Sequence, residues 1–192
     1  MTTEARDPRQ PGAGVVTLAR DGRMAGRWKL DPTASQVEFR VRHFWNAITV
    51  RGWFDQVEGE GMLGPDGRIT GQLLMVATSL NTKNKRRDKH LRSADFFDAD
   101  KHPHVVLTVR QAALTADGRL TAEGTLEAGG TAEPVTVTAD VVEASAEAVT
   151  LRAELAVDRS RFGMTWSPLR MAAMQATGTV TARFIRVPAG NP

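Results

Sequence analysis

The chain has 192 residues, of which 41% are hydrophobic and 24% charged, a composition typical of one folded domain rather than of a disordered segment. It contains no cysteine, which excludes disulfide scaffolds and metal sites built on thiolates. The formal net charge is +3, and the excess of basic residues lies within residues 1–29. The rest of the sequence therefore lacks the basic surplus of a protein that wraps nucleic acid.

Residues 1–26 are rich in Gly, Pro and Arg and show no periodic pattern, so we predict a flexible leader followed by a single domain over residues 27–189. No apolar stretch resembles a secretory signal. The longest purely apolar run, residues 73–77, is far shorter than the roughly 18 residues of a membrane span. These features predict a cytoplasmic protein without a transmembrane segment.

Beyond residue 28 apolar and polar residues alternate, which is the period of a half-buried β-strand. Segment 149–158 is the clearest case, because one of its faces is apolar at every position. Strands are predicted near 35–43, 47–54, 57–63, 68–78, 105–114, 119–128, 133–144, 148–158 and 177–187. Short connections rich in turn residues favour antiparallel neighbours. We predict an all-β fold, a single antiparallel barrel of about eight strands.

The predicted inward face of this barrel carries several small residues. They are Ala122, Gly124, Ala128, Ala139 and Ala153. A barrel of about eight strands is wide enough either to be filled by side chains or to hold one small ligand. The small residues favour a hollow barrel, and the alternative is a filled barrel that tapers at one end.

Two segments interrupt the alternation, residues 82–103 and 160–176, and long connections of this kind often carry function. The first is strongly basic between residues 83 and 92, and we predict a short helical insertion near residues 83–95. Guanidinium groups there suit a phosphate or pyrophosphate. The alternatives are a solvated loop, or an Arg87 that pairs internally with an acidic neighbour. The second segment holds flexible or flat apolar side chains, which suit either a lipid site or a plug for the barrel.

The sequence offers little for catalysis or metal binding. His102 and His104 flank a proline, and strand alternation directs them to opposite faces, so no metal site and no cofactor are predicted. Asp95, Asp98 and Asp100 crowd one loop, which leaves an enzyme acting on a lipid head group as one alternative function. A nucleic-acid-binding module that uses the basic loop and the leader is the other.

Two adjacent motifs form a specific signature: Arg-Asp-Lys-His-Leu at residues 87–91 and Asp-Phe-Phe-Asp at residues 95–98. Further matching segments are 28–32, 35–39, 134–137 and 158–164. In these segments the sequence resembles the YceI-like lipid-binding (polyisoprenoid-binding) family. The resemblance implies an elongated, lipocalin-like antiparallel barrel with a hydrophobic tunnel for a long acyl or isoprenoid chain. It also implies frequent dimers and no settled enzymatic activity.

Residues and resemblance together predict a carrier or sequestering protein for a long-chain amphipathic lipid, of polyisoprenoid or fatty-acyl type. We expect no enzymatic activity and no nucleic-acid partner, and a homodimer is a possible assembly. The expected tunnel residues are Phe39, Val41, Leu107, Leu126, Phe96, Phe97, Phe162, Met164 and Trp166. The expected head-group residues are Arg86, Arg87, His90 and Arg161.

Overall fold

The alternating segments form strands, and short turns join them. The computed structural model describes residues 16–19, 21–43, 48–115, 117–167 and 172–188. The strands are β1 (Gly26–Leu30), β2 (Gln36–His43), β3 (Ile48–Phe54), β4 (Val57–Leu63), β5 (Ile69–Val76), β6 (Leu80–Asn81), β7 (His104–Leu114), β8 (Arg119–Ala128), β9 (Thr131–Ala144), β10 (Ala148–Asp158) and β11 (Ala172–Arg186). Helix α1 spans Lys85–Leu91, and 3-10 turns cover Pro32–Ala34, Ala77–Ser79 and Arg159–Phe162.

All strands belong to one antiparallel sheet that closes on itself. The order β1-β4-β5-β7-β8-β9-β10-β11 returns to β1, which pairs with β11 through Leu30 opposite Phe184. Eight strands therefore form a closed barrel, which confirms the predicted all-β fold and strand number. Closure gives each of these strands a partner on both sides. β9 and β10 pair over only part of their lengths, from Ala144 opposite Val149 to Ala139 opposite Ala153.

Three short strands extend the barrel at one end. β1 pairs with the last residues of β11 and β2 with the preceding ones, so both lie along the same edge of β11. β3 then pairs with β2, and β6 pairs with β3. After β6 the chain forms α1 and the loop 92–103 before it enters β7. We call the end with β2, β3, β6 and α1 the lower end, and the end with β1 and the β4–β5 turn the upper end.

The nine predicted strands correspond to β2–β5 and β7–β11, and the predicted helical insertion contains α1. Two strands were missed, β1 and β6, because five and two residues are too few to show a period. β11 begins at Ala172, within the segment predicted to interrupt the alternation. Pairing with β2 makes residues 172–176 a strand, although their sequence does not alternate.

Polar contacts attach α1 to the barrel. The Asn84 side chain accepts a hydrogen bond from the Arg87 amide (3.1 Å) and caps the helix. The buried carboxylate of Asp88 accepts hydrogen bonds from the amide (2.9 Å) and hydroxyl (2.5 Å) of Thr82, just after β6. Arg87 donates to the hydroxyl (2.8 Å) and carbonyl (3.0 Å) of the same threonine. These contacts fix a helix that is too short to be stable alone.

Gly124 has a different role from the one predicted. A Cβ at this position would lie 1.8 Å from the carbonyl oxygen of Thr108 on the neighbouring strand. The register of β7 and β8 shifts here, between Val109 and Gln111. Gly124 thus permits a close approach of two backbones at a bulge rather than widening the interior.

Part of the predicted leader packs on the upper end. Residues 16–19 are helical, and Met24 is 4% exposed in a cluster with Trp28. The indole nitrogen of Trp28 donates to the Met24 carbonyl (3.0 Å), and Arg186 donates to the Ala25 carbonyl (2.8 Å). Through these contacts the described part of the leader packs over the barrel at this end. Residues 1–15 and 20 lie outside the described residues.

Candidate ligand-binding tunnel

The barrel interior contains two apolar cavities placed end to end. The upper chamber has a volume of about 200 Å³, and the lower chamber one of about 250 Å³. Leu73, Leu107 and Val180 line both chambers, which therefore adjoin at this level. An engineered apolar protein cavity of roughly 150 Å³ admits a benzene molecule, so each chamber has room for several carbon atoms.

Strand β10 shows how long the combined interior is. Val149, Leu151 and Ala153 line the upper chamber, and Leu155 and Val157 line the lower one. Eight residue steps at about 3.3 Å each give roughly 26 Å along the strand. With the usual strand tilt of about 40° this is approximately 20 Å along the barrel axis. The length of the interior therefore suits an extended chain rather than a compact molecule.

Small residues create this space. Ala122, Ala139 and Ala153 line the upper chamber, and Ala128 lines the lower one. Gly124, the fifth small residue predicted to face inward, lines neither cavity and serves the bulge. The structure therefore has a hollow barrel, in line with the prediction made from the small residues.

All nine predicted tunnel residues line the lower chamber, which brings together side chains from β2, β7, β8 and two loops. They are Phe39, Val41, Leu107, Leu126, Phe96, Phe97, Phe162, Met164 and Trp166. Their contact with a ligand stays a prediction. Of the nine, Leu107 also lines the upper chamber. Apart from the small residues Ala122, Ala139 and Ala153, the rest of the upper lining was not among the residues predicted from sequence. That lining includes Met24, Trp28, Leu63, Ile69, Leu151 and Phe184.

Aromatic rings form one wall of the lower chamber. The Phe54 ring lies 6.0 Å from the Phe39 ring and 6.0 Å, edge-on, from the Phe97 ring, measured between centroids. Gly52 makes room for this arrangement, since a Cβ there would lie 2.4 Å from Cζ of Phe39. The wall is apolar and closely packed, with its rings tilted or edge-on to one another.

The lower chamber meets the solvent beside α1. The His90 ring lies edge-on to the Phe96 ring (5.2 Å) and the Trp166 ring (4.3 Å), and its Nε2 is 2.9 Å from a carboxylate oxygen of Asp95. Trp166 is 44% exposed, and 33% of the His90 side chain is exposed. Because both residues also line the chamber, they mark its rim.

The four predicted head-group residues separate into two pairs. Arg87 and His90 line the lower chamber, although Arg87 is engaged by Thr82 rather than by an acidic neighbour. Arg86 is exposed and lines neither chamber. Arg161 is exposed and forms an ion pair with Glu133 on the surface. Two of the four predicted residues, Arg87 and His90, therefore lie at the lower chamber. Binding of a head group by these residues stays a prediction.

A further arginine, Arg159, lines the lower chamber and was missed. It is 6% exposed, and burial lowers its pKa, with an opposing effect of the Asp158 charge. Asp158 itself accepts hydrogen bonds from the Ser160 hydroxyl (2.6 Å) and amide (3.0 Å), which hold the pKa of its carboxyl below the usual value and start the 3-10 turn. The motif at residues 158–164 was the available signal, but the burial of Arg159 depends on tertiary contacts.

The crowded acids of the 95–100 loop make local contacts. Asp95 faces His90, and the Asp98 carboxylate is 3.1 Å from the Lys101 ammonium group. Within the described ranges, no three His, Asp or Glu side chains gather into a set that could hold a metal ion. The helices of the described part of the chain are all too short or too polar to span a bilayer.

Comparisons with known proteins agree with this architecture. A family model described as YceI-like domain matches residues 28–185. A UPF0312 protein of Staphylococcus aureus strain USA300 is 32% identical over 85 residues, 43% of this chain and 49% of the relative. The corresponding protein of strain MRSA252 is 33% identical over 82 residues, 42% of this chain and 47% of the relative. The chain thus spans about half the length of the curated relatives it matches.

Solved structures share the fold. BcnA of Burkholderia cenocepacia matches with a TM-score of 0.72 at 19% identity, covering 80% of this chain and 98% of BcnA. A polyisoprenoid binding domain from Saccharophagus degradans, implicated in plant cell wall breakdown, matches with a TM-score of 0.68 at 16% identity, covering 83% and 98%. At this identity the likeness shows the fold alone. Since the family model covers nearly the whole barrel, the chain belongs to the family of proteins with a YceI-like domain.

Proposed function

We propose that the protein binds one long-chain amphipathic lipid, of polyisoprenoid or fatty-acyl type, inside the barrel and acts as a carrier or sequestering protein. The observation that carries the proposal is the pair of adjoining apolar chambers along the barrel axis. Membership of the YceI-like family and the likeness to a polyisoprenoid binding domain support it.

The lining favours a chain over a polar ligand. Among the described residues around the upper chamber, Glu60 is the one that carries a charge, and it is exposed. Transfer of each methylene group from water to such surroundings is favourable by about 0.8 kcal/mol. A ligand with many methylene or isoprene groups therefore gains the most from this interior.

A binding role fits the contacts better than the two alternatives. The acids of the 95–100 loop face His90 and Lys101 rather than a shared substrate position. In the basic segment, Arg87 and Arg92 donate to Thr82 and to the Leu80 carbonyl, so two of its guanidinium groups hold the loop in place. Among the residues that the structure describes, no contact specifically favours catalysis or nucleic-acid binding.

Titration with saturated fatty acids of 8 to 18 carbon atoms tests the proposal. We expect the affinity to rise by roughly fourfold per methylene until the tunnel is full, which corresponds to ~0.8 kcal/mol per group. Native mass spectrometry of the purified protein, followed by lipid extraction, identifies a retained ligand. Affinity that does not depend on chain length contradicts the proposal.

A variant pair locates the chain. Ala122→Trp fills the upper chamber, so the gain beyond a medium chain length disappears while short chains bind as before. Glu127→Trp places the same side chain on an exposed position of the same strand and serves as the control. If both variants bind long chains like the unmodified protein and remain folded, the chain does not enter the upper chamber.

The homodimer and the cytoplasmic location expected from the sequence stay predictions. Light scattering on the purified protein, with and without palmitate, measures the assembly.

A further inference from the structure

Arg159 is a buried cation on the wall of the lower chamber. Its Nε donates to the Ala173 carbonyl (2.9 Å), and its Nη1 donates to the carbonyls of Met164 (2.5 Å) and Trp166 (3.1 Å). These acceptors are neutral. No carboxylate of the described residues lies within salt-bridge distance of the guanidinium group.

One nitrogen of this group remains without a partner. Nη2 is shielded from solvent and makes no hydrogen bond to any residue that the structure describes. An unpaired buried donor is unfavourable, and more so when it carries charge, because water no longer solvates it. Buried arginines in proteins are normally paired with an anion for this reason.

An aromatic ring of the chamber wall packs on the guanidinium group of Arg159. The Phe96 ring packs on the guanidinium group, with Cζ of Arg159 5.8 Å from the ring centroid. Phe96 is only partly buried, and its neighbour Trp166 is largely exposed at the rim. Arg159 and Phe96 both line the lower chamber, so the guanidinium group lies at the chamber wall.

We propose that Arg159 anchors the anionic head group of the lipid, a carboxylate or a phosphate, through Nη2. The inference rests on the proposed function, since it assigns a head-group class and an anchor to the same tunnel. The anion pairs with a buried guanidinium that has no carboxylate of the described residues within salt-bridge distance, and the chain extends toward the upper chamber. Among the cations at the lower chamber, Arg159 is the one with an unpartnered nitrogen, because Thr82 engages Arg87 and Asp95 faces His90.

The test compares four ligands with the same 16-carbon chain: palmitate, hexadecyl phosphate, hexadecanol and methyl palmitate. For the unmodified protein at pH 8 we expect the two anions to bind at least tenfold more tightly than the two neutral compounds. In Arg159→Gln this preference disappears, while hexadecanol binds within about twofold of its original affinity. Acetate and inorganic phosphate, which carry the charge without the chain, bind to neither protein in the millimolar range.

Arg152→Gln is the matched control. Arg152 lies on β10, is exposed, and alternates with the inward residues Leu151 and Ala153. This variant removes the same charge near the same strand, and we expect it to keep the preference for anions. Equal binding of all four ligands by the unmodified protein overturns the anchor, and so does a preference that survives in Arg159→Gln or disappears equally in both variants. If none of the four ligands binds, the proposed function itself fails.

A second measurement needs no variant and decides the question if Arg159→Gln does not fold. Palmitate labelled with carbon-13 at its carboxyl group is bound to the unmodified protein and titrated by NMR. We expect the bound carboxyl to titrate at lower pH than palmitate in water, because the guanidinium favours its charged form. Titration at the same or a higher pH places the head group away from Arg159 and overturns the inference.

Discussion

The two chambers share the same strands and differ at their ends. The upper chamber is bordered by one charged residue and covered by the segment that contains Met24. The lining of the lower chamber includes Arg87, His90, Arg159 and the exposed Glu38, and this chamber reaches the solvent beside Trp166. Because neighbouring strands of an antiparallel barrel run in opposite directions, the strands alone do not distinguish one end of the interior from the other. The connecting segments distinguish the two ends, because they leave the upper lining almost without charge and place two arginines and a histidine at the lower one.

This difference orients an amphipathic ligand. Burial of a chain is favourable in either chamber, because both linings are apolar. A charged head group is tolerated only where it meets water or an opposite charge. The lower end offers both water and an opposite charge. We therefore place the head group of the ligand at the lower end and its tail in the upper chamber.

The largest expected effect comes from breaking the lower end. Asp88→Ala removes the carboxylate that accepts two hydrogen bonds from Thr82, and both residues are buried. Hydrogen bonds to charged groups contribute roughly 1.5–3 kcal/mol each, so we expect a loss of about 3–5 kcal/mol in the free energy of unfolding, measured with denaturant. Amide hydrogen exchange should rise in α1 more than in β4 and β5.

The control for this variant is Asp100→Ala, an exposed acid in the neighbouring loop. We expect it to leave the stability within about 0.5 kcal/mol of the original value. If exchange rises equally at both ends of the barrel in Asp88→Ala, the lower end is not a separate structural unit.

A slightly smaller effect tests the cover of the upper end. Met24→Ala creates a cavity at a residue that is 4% exposed, and such changes usually destabilise by about 2–4 kcal/mol. It also opens the upper chamber, so long fatty acids should dissociate faster while short ones are unaffected. For stability, the comparison is Met62→Ala, at a methionine that borders the same chamber but is 42% exposed. Similar stability losses in both variants would show that Met24 does not seal the barrel.

Two glycines compare the chambers directly. A Cβ at Gly52 would lie 2.4 Å from Cζ of Phe39, whereas at Gly61 it would make an ordinary 3.5 Å contact with the Thr70 carbonyl oxygen. Overpacking costs about 1–3 kcal/mol, so Gly52→Ala should lower the unfolding midpoint and weaken palmitate binding. Gly61→Ala should leave both nearly unchanged. Equal behaviour of the two variants contradicts the packing described for the aromatic wall.

The smallest expected effect is the response to acid. Hydrogen bonds from Ser160 hold the pKa of Asp158 below its usual value, so the folded state favours the charged form. The stability this contributes is present above the ordinary pKa of aspartate and is lost as the pH falls through the lowered pKa in the folded state. We expect a constant melting temperature from pH 7 to 5, a decrease below about pH 4, and a shallower decrease in Asp158→Asn. If the melting temperature of Asp158→Asn depends on pH in the same way as that of the unmodified protein, Asp158 does not cause the loss of stability in acid.

Much of the lower chamber could be predicted from sequence. Alternation shows which side chains of a strand share a face, and this placed Phe39, Val41 and Leu126 together. No periodicity links the loop residues to the barrel: Phe97 came from the resemblance, and Trp166 from a segment of flat and flexible apolar side chains that suited either a lipid site or a plug. The upper chamber was implied by small residues such as Ala122, but its cover was not visible in the sequence.

Arg159 shows why the rest was missed. Its position in a turn predicts exposure, and the neighbouring Arg161 is indeed exposed. The difference arises because the Ala173 carbonyl of β11, 14 residues away, accepts a hydrogen bond from Arg159, while Arg161 pairs with Glu133 at the surface. Burial of one basic side chain and not the other is a tertiary effect, which local pattern does not encode.

The orientation of a bound chain tests the central claim most directly. In a crystal of the complex with 16-bromohexadecanoate, the anomalous signal of bromine marks the end of the chain. The account predicts the bromine in the upper chamber, among Ala122, Ala139 and Leu151, with the carboxylate near Arg159. A bromine beside Trp166 and His90, or on the outside of the barrel, would contradict it.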